Sequence, residues 1–308
     1  MAESWRHHYV PQFHLKGFTD SDGMFYVYDK TRRKLKRGRY SPKSHFFEPR
    51  RNTLRNPSIS PTLLEGFYAE YDQTCVRLFE RLRSDPKPDI DLRMIQDLKM
   101  YVSMLFWRIP ASDTVLDELL SRVSFKELGF RLKAHDSDEV IDWPELEQRV
   151  LADADFRKAV RFLIIPLATF DLLIQEYDQT NWAIYRAATD KTNLHICSDN
   201  PLVFLSREQG YRFLSPIAFP VSSNCFVYYT PDGRRPRVID PDARIELDCL
   251  VFRQAIQYVC GPNADYIQSI AELTSLHEKR HNLEEHKKYL FSLLSVQTTQ
   301  YPGPDLGE

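Results

Sequence analysis

Between residues 60 and 110 apolar side chains return every three or four positions, a spacing that predicts two helices. Ser60 and Pro61 supply an N-cap and a first-turn proline for the first. Its stripe is Leu64, Phe67, Tyr71, Cys75, Leu78 and Leu82, and Asp85-Pro86-Lys87-Pro88 ends it. The second carries Leu92, Ile95, Leu98, Val102, Leu105 and Ile109 and stops at Pro110. Asp142-Trp143-Pro144-Glu145 has capping-box spacing for another helix. Residues 156–177 read as a long apolar helix kinked at Pro166. Elsewhere the pattern shortens to strands. Residues 24–29 follow the Asp22-Gly23 turn and, with an extended piece over 40–47, predict an N-terminal hairpin. Residues 182–187, 194–197, 202–205 and 225–229 are further strand candidates. Helices resume over 247–259 and 264–294, and 298–308 reads as a loose tail. The expected fold is α+β: one mixed or antiparallel sheet from the hairpin and the strands after 180. A helical insertion at 60–177 and C-terminal helices complete a single domain over 1–297.

Composition narrows the function classes. With 308 residues, 43% hydrophobic and 27% charged, the chain has ordinary globular composition and length enough for a full core. No apolar run reaches the ~20 residues of a membrane span. Residues 1–10 hold no apolar core of a secretory signal, so a cytoplasmic protein is expected. Cys75, Cys197, Cys225, Cys249 and Cys260 are scattered without a C-x-x-C pair, which predicts reduced thiols and no zinc knuckle. Neither G-x-G-x-x-G nor a P-loop occurs, and G-x-S-x-G is absent, which excludes the usual dinucleotide, nucleotide and α/β-hydrolase signatures.

The net charge of −2 conceals an asymmetry. From Asp29 to Arg55 the segment carries +9, leaving −11 for the rest. Its basic residues include Lys30, Arg32, Arg33, Lys34, Lys36, Arg37, Arg39, Arg50, Arg51 and Arg55. A one-sided strip of this kind suits contact with a phosphate backbone. It also suits an exposed sheet edge protected against aggregation by charge.

Two motifs carry the candidate chemistry. His7-His8-Tyr9-Val10-Pro11-Gln12-Phe13-His14 places adjacent imidazoles before a proline-started helix, whose first turn exposes N–H groups that favour anions. His7 and His8 are expected on opposite sides of an extended lead-in. Ser198-Asp199-Asn200-Pro201 sets a carboxylate at a strand end, a position for a metal ligand or general base and equally for a turn that caps its own backbone. Glu65, Glu70 and Arg108 could join a site, with ion pairing as the plainer role. His277-Glu278-Lys279-Arg280-His281 formally matches the zincin H-E-x-x-H, but its flank is almost entirely charged. A solvated helix face is expected there.

His7-His8-Tyr9-x-Pro11-x-Phe13-x-Leu15-x-x-Phe18, followed by the Tyr26-Val27-Tyr28-Asp29-Lys30 strand, resembles the bacterial domain of unknown function 4238 family. Ser198-Asp199-Asn200-Pro201-Leu202-Val203 is similar to its C-terminal motif. Phe219-Pro220-Val221-Ser222-Ser223 is similar to its Phe-Pro-Leu-Ser-Pro motif but lacks the leucine and the final proline. Trp107-Arg108-Ile109-Pro110 sits where that family carries an arginine and proline at a helix end. The resemblance spans residues 7–230 and implies no reaction.

The leading expectation is a metal-dependent phosphodiesterase or nuclease-like protein acting on nucleic acid, in the manner of a toxin or defence effector. His7, His8, Asp199 and Asn200 would be catalytic, and His8 and Asp199 would hold a divalent metal. Arg32, Arg33, Lys34, Lys36, Arg37, Arg39 and Arg108 would bind substrate. The alternative is a non-enzymatic nucleic-acid- or protein-binding module in which the histidine and aspartate motifs brace the fold.

Overall fold

The computed structural model describes residues 5–57, 59–85, 90–121, 124, 126–127, 140, 142–169, 178–186, 195–210, 212–236 and 239–295. The expected tail, positions 187 and 194 of two strand candidates and the last part of the helix expected over 156–177 lie outside them. The N-terminal part runs β1 (Arg6–His8), α1 (Gln12–Leu15), β2 (Tyr26–Asp29), β3 (Lys34–Leu35) and β4 (Phe47–Pro49). Then follow α2 (Leu63–Ser84), α3 (Leu92–Arg108), α4 (Val115–Leu120), α5 (Trp143–Ala152) and α6 (Ala154–Ala159). A π-helical turn (Val160–Ile164) leads into α7 (Ile165–Thr169), and α8 (Asp178–Asn181) precedes β5 (Trp182–Arg186). The C-terminal part holds β6 (Cys197–Ser198), β7 (Val203–Phe204), α9 (Arg207–Gly210), β8 (Ile217–Ser222) and β9 (Cys225–Tyr229). It closes with α10 (Pro241–Gln254), β10 (Tyr258–Gly261), α11 (Ala264–Arg280) and α12 (Leu283–Leu293). The architecture is α+β with antiparallel pairing throughout the described strands. No described helix is long and apolar enough to cross a membrane.

The expected single sheet is three. β1 pairs β4, the order β3-β2-β10-β6 makes a second sheet, and β5-β9-β8-β7 a third. The hairpin strand β2 pairs β3 and β10, and Tyr40 reaches Phe25 only through an isolated bridge. Through β10, which lies between β2 and β6, the N-terminal hairpin does share a sheet with strands after 180, while β5, β7, β8 and β9 make a separate sheet.

Two helical layers enclose the larger sheets. Ile217, Phe219 and Val221 of β8 and Val227 and Tyr229 of β9 join the core built on α1, α2 and α3. Their alternate neighbours Ala218, Phe226 and Tyr228 join the core of α10, α11 and α12. Val27 against Tyr28, and Cys260 against Val259, divide in the same way. Strand side chains alternate faces, so a strand covered on both sides reads as a continuous apolar run.

Both predicted helices form, with shifted details. α2 begins at Leu63 with Thr62 as an N-cap lacking a side-chain hydrogen bond, so Ser60 is not the cap. α3 has Asp91 accepting from the Met94 amide and ends before Pro110. Asp142 accepts from the Glu145 amide at the start of α5. The π-helical turn immediately precedes the segment holding Pro166, whose missing N–H breaks regular pairing. The helix expected over 247–259 ends at Gln254, and Val259 lies in β10. The helix expected over 264–294 breaks at His281, where Asn282 and Glu285 form a capping box for α12.

Candidate functional site

β1 sets the first motif by pairing with β4, with His7 opposite Glu48 and His8 opposite Phe47. His7 is buried; its Nδ1 accepts from the Asn52 amide at 2.8 Å and lies 3.6 Å from Glu65 Oε1. His8 stands beside the Phe47 ring, with Nδ1 3.4 Å from Gln12 Nε2. Its Nε2 is buried without a hydrogen-bond partner. Burial, reinforced by the Arg108 guanidinium, pushes the His8 imidazole down to about 4.

The third histidine ties this motif to the Phe-Pro-Val-Ser strand. His14 Nε2 lies 2.8 Å from the Pro220 carbonyl, and the Tyr101 hydroxyl is 2.6 Å from Nδ1. A carbonyl only accepts, so Nε2 carries the proton and Nδ1 accepts from Tyr101. Burial pushes His14 down to about 4. Three residues on, Gly17 accepts from the Ser223 amide at 2.9 Å. A Cβ there would sit 2.5 Å from the Val221 carbonyl oxygen. Gly17→Ala is therefore expected to cost about 3 kcal/mol through overpacking against backbone. Urea unfolding measures it, and a loss under about 0.5 kcal/mol would contradict the close approach.

Asp199 follows β6 and is buried. One carboxylate oxygen accepts from the Ile256 amide at 2.8 Å, the other from Gln257 and Tyr258 at 2.6 and 2.9 Å. Burial pushes its carboxyl up, opposed by those three amides and by the Lys30 ammonium. Its own turn is capped by Ser198 Oγ, which accepts from the Asn200 amide at 3.1 Å. Asn200 donates to the Gln254 carbonyl at 3.2 Å, and Gln254 donates back to the Asn200 carbonyl at 2.6 Å. Burial first, then the Asp199 charge, raises the Tyr9 phenol.

The basic strip separates into anchored and exposed residues. Lys30 donates to the carbonyls of Phe252, Arg253 and Ala255, each at 2.8 Å, and closes the C-terminus of α10. Lys36 lies 2.7 Å from His45 Nε2, and Arg39 pairs with Asp20 and Asp22 at 2.7 Å. Arg108 is buried, paired with Asp72 at 2.9 Å, donating to the His8 carbonyl and stacked over Tyr68. Arg32, Arg33, Lys34, Arg37, Lys43, Arg50 and Arg55 remain exposed. Glu65 is half-buried and Glu70 exposed.

Where the strip meets α6 and the π-helical turn there is a cavity of about 240 Å³ lined by Arg51, Arg157, Lys158, Arg161, Asp113 and Phe162, among others. Arg51 and Arg161 share the Asp113 carboxylate, and Arg161 Nε is buried without a partner. Burial lowers Lys158, helped by Arg55 and Arg51; burial lowers Arg161, helped by Arg51. Carboxylates oppose the shift in both, Asp155 at Lys158 and Asp113 at Arg161, so burial is what depresses these cations.

Two further clusters bring together residues distant in sequence, of which only His277 lay in a motif, the H-E-x-x-H match. Asp248 lies 3.2 Å from His195 Nδ1 and accepts from Tyr266 at 2.6 Å, joining α10, the β6 lead-in and α11. Glu246, His277 and His286 converge from α10, α11 and α12. Glu278, Lys279, Arg280 and His281 are exposed, as expected of a solvated face; His277 departs from it, being largely covered, and α11 ends at Arg280, leaving His281 as C-cap.

Residues 6–265 match the family described as protein of unknown function (DUF4238), and the chain belongs to that family. No curated protein and no solved structure matches it.

Proposed function

We propose that this member of the DUF4238 family is a nucleic-acid-binding module that grips the phosphate backbone at the cavity of Arg51, Arg157, Lys158 and Arg161. Its histidine and aspartate motifs brace the fold. The observation that carries this reading is the cavity itself, four cations against one carboxylate in its lining. At about 240 Å³ it is smaller than the ~300–1,000 Å³ of pockets that enclose small-molecule ligands. It suits a phosphate group of a chain that continues past it. Exposed Arg50 and Arg55 flank the segment that forms it, and the Lys158 ammonium donates to the Thr53 carbonyl of that segment at 3.1 Å. Guanidinium groups match phosphate oxygens in paired hydrogen bonds, which suits three arginines to this task. Five free, buried thiols support a reducing, cytosolic setting.

The test is anisotropy of a labelled single-stranded oligonucleotide across a salt series. Loss of two phosphate contacts in Arg157→Glu/Lys158→Glu should flatten the slope of log K against log salt by about 1.4. Affinity should fall by tenfold or more. Absence of salt-dependent binding, or an unchanged slope in the double variant, contradicts the reading.

A second reading retains chemistry at the first motif, because His8 Nε2 is a neutral, unpartnered nitrogen. It has less support as a metal centre shared with Asp199, whose two oxygens already accept three amides.

A further inference from the structure

The helices after β9 meet on one carboxylate. Glu246 Oε2 lies 2.6 Å from His286 Nε2, and Oε1 lies 3.4 Å from His277 Nε2. The two imidazoles stack with centroids 4.7 Å apart and planes 9° from parallel. One ligand atom from each of the three residues can be chosen so that all lie within 4.8 Å of one another. We propose that Glu246, His277 and His286 form a binding site for a divalent transition-metal ion, with Zn²⁺ the best fit to two imidazoles and a carboxylate.

Tetrahedral zinc holds such ligands at about 2.0–2.2 Å, which sets the ligand atoms about 3.3–3.5 Å apart. The separation of His277 from Oε1, 3.4 Å, has this spacing, while His286 contacts the other oxygen, Oε2, at 2.6 Å, so the carboxylate and the His286 ring must shift by about an ångström to share one ion. Arg253 Nη1, which only donates, lies 3.4 Å from His286 Nδ1. The metal-free ring therefore carries its proton on Nε2 and gives it to Glu246. When the metal takes the Nε2 lone pair, that proton passes through solvent to Nδ1 and Arg253 gives up its long contact. His277, with 19% of its side chain exposed, is the side from which an ion and a water in the fourth position enter. Glu246 lies within the matched residues 6–265, and both histidines lie beyond them. The site clamps α10, α11 and α12 together.

The experiment uses the full chain after chelator treatment, titrated with Co²⁺ as a spectroscopic probe and with Zn²⁺ in competition. One equivalent of Co²⁺ should give the visible absorption of a tetrahedral site and be displaced by Zn²⁺. His277→Ala, checked for native circular dichroism, should weaken binding at least tenfold, as should Glu246→Gln. His281→Ala, at the exposed C-cap, should retain binding. Absence of stoichiometric binding overturns the proposal. So does full binding in His277→Ala, or binding lost only in His281→Ala. His277→Ala decides the matter even where Glu246→Gln does not fold.

Discussion

Asp199→Ala is expected to lower unfolding stability by about 4 kcal/mol, a large share of the ~5–15 kcal/mol of an ordinary domain. The carboxylate accepts from the amides of Ile256, Gln257 and Tyr258, which form the entry to β10. β10 is the strand between β2 and β6. Truncation leaves three amide donors without their acceptor, each costing about 1–3 kcal/mol where water cannot replace it. Asp199→Asn keeps one oxygen and turns an amino group towards the remaining donors, so it should lose about half as much. Urea unfolding followed by circular dichroism measures both. A loss under about 1 kcal/mol for the alanine variant would remove Asp199 from the frame.

Acid should weaken the fold through His14. Its imidazole is fully buried and pushed down to about 4 from 6.5. The native ring therefore takes up its proton later than the ring of the unfolded chain. Its contribution is complete above pH 6.5 and is lost as the pH falls from 6.5 to about 4. The full loss is about 3 kcal/mol, of which about 2.5 falls between pH 7.5 and 4.5. The geometry explains the resistance to protonation: Nδ1 accepts from Tyr101, and a proton there would meet that hydroxyl in a core of Phe13, Phe18 and Phe79. His8 and His45 are pushed down to about 4 as well, both chiefly by burial, and act in the same direction. His14→Gln, whose amide can still reach the Pro220 carbonyl, should start less stable at pH 7.5 and lose less on acidification. Equal acid sensitivity in the two proteins would refute this assignment.

The helical half of the fold was legible because α2 and α3 show apolar recurrence at helical spacing, punctuated by Pro86 and Pro110. The cap at Asp142 was equally local. β8 was not legible as a strand: both its faces are buried, so no polar alternation marks it, and Pro220 interrupts it at a bulge. β10 follows α10 without a glycine or proline between them, so the apolar pattern ran on as one helix. The opposite facing of His7 and His8 follows from strand geometry alone. Asp199 was different. Its partners are backbone amides 57 to 59 positions away, and no residue spacing encodes such a contact. The cationic cavity joins Arg51 to residues a hundred positions on. Its only local sign was Arg157-Lys158 with Arg161 one turn later. Glu246 and His286 lie 40 residues apart and carry no motif.

Binding and stability measured on the same two variants test the central claim most directly. Arg157→Glu/Lys158→Glu should lose salt-dependent oligonucleotide affinity while still unfolding cooperatively, its urea midpoint lowered only by the loss of the Lys158–Thr53 hydrogen bond and the Arg157–Asp117 ion pair. Asp199→Asn should show the reverse: a lower midpoint and unchanged affinity under conditions where it remains folded. Affinity abolished by Asp199→Asn in folded protein, with the double charge reversal binding normally, would contradict the account and return the aspartate motif to the functional site.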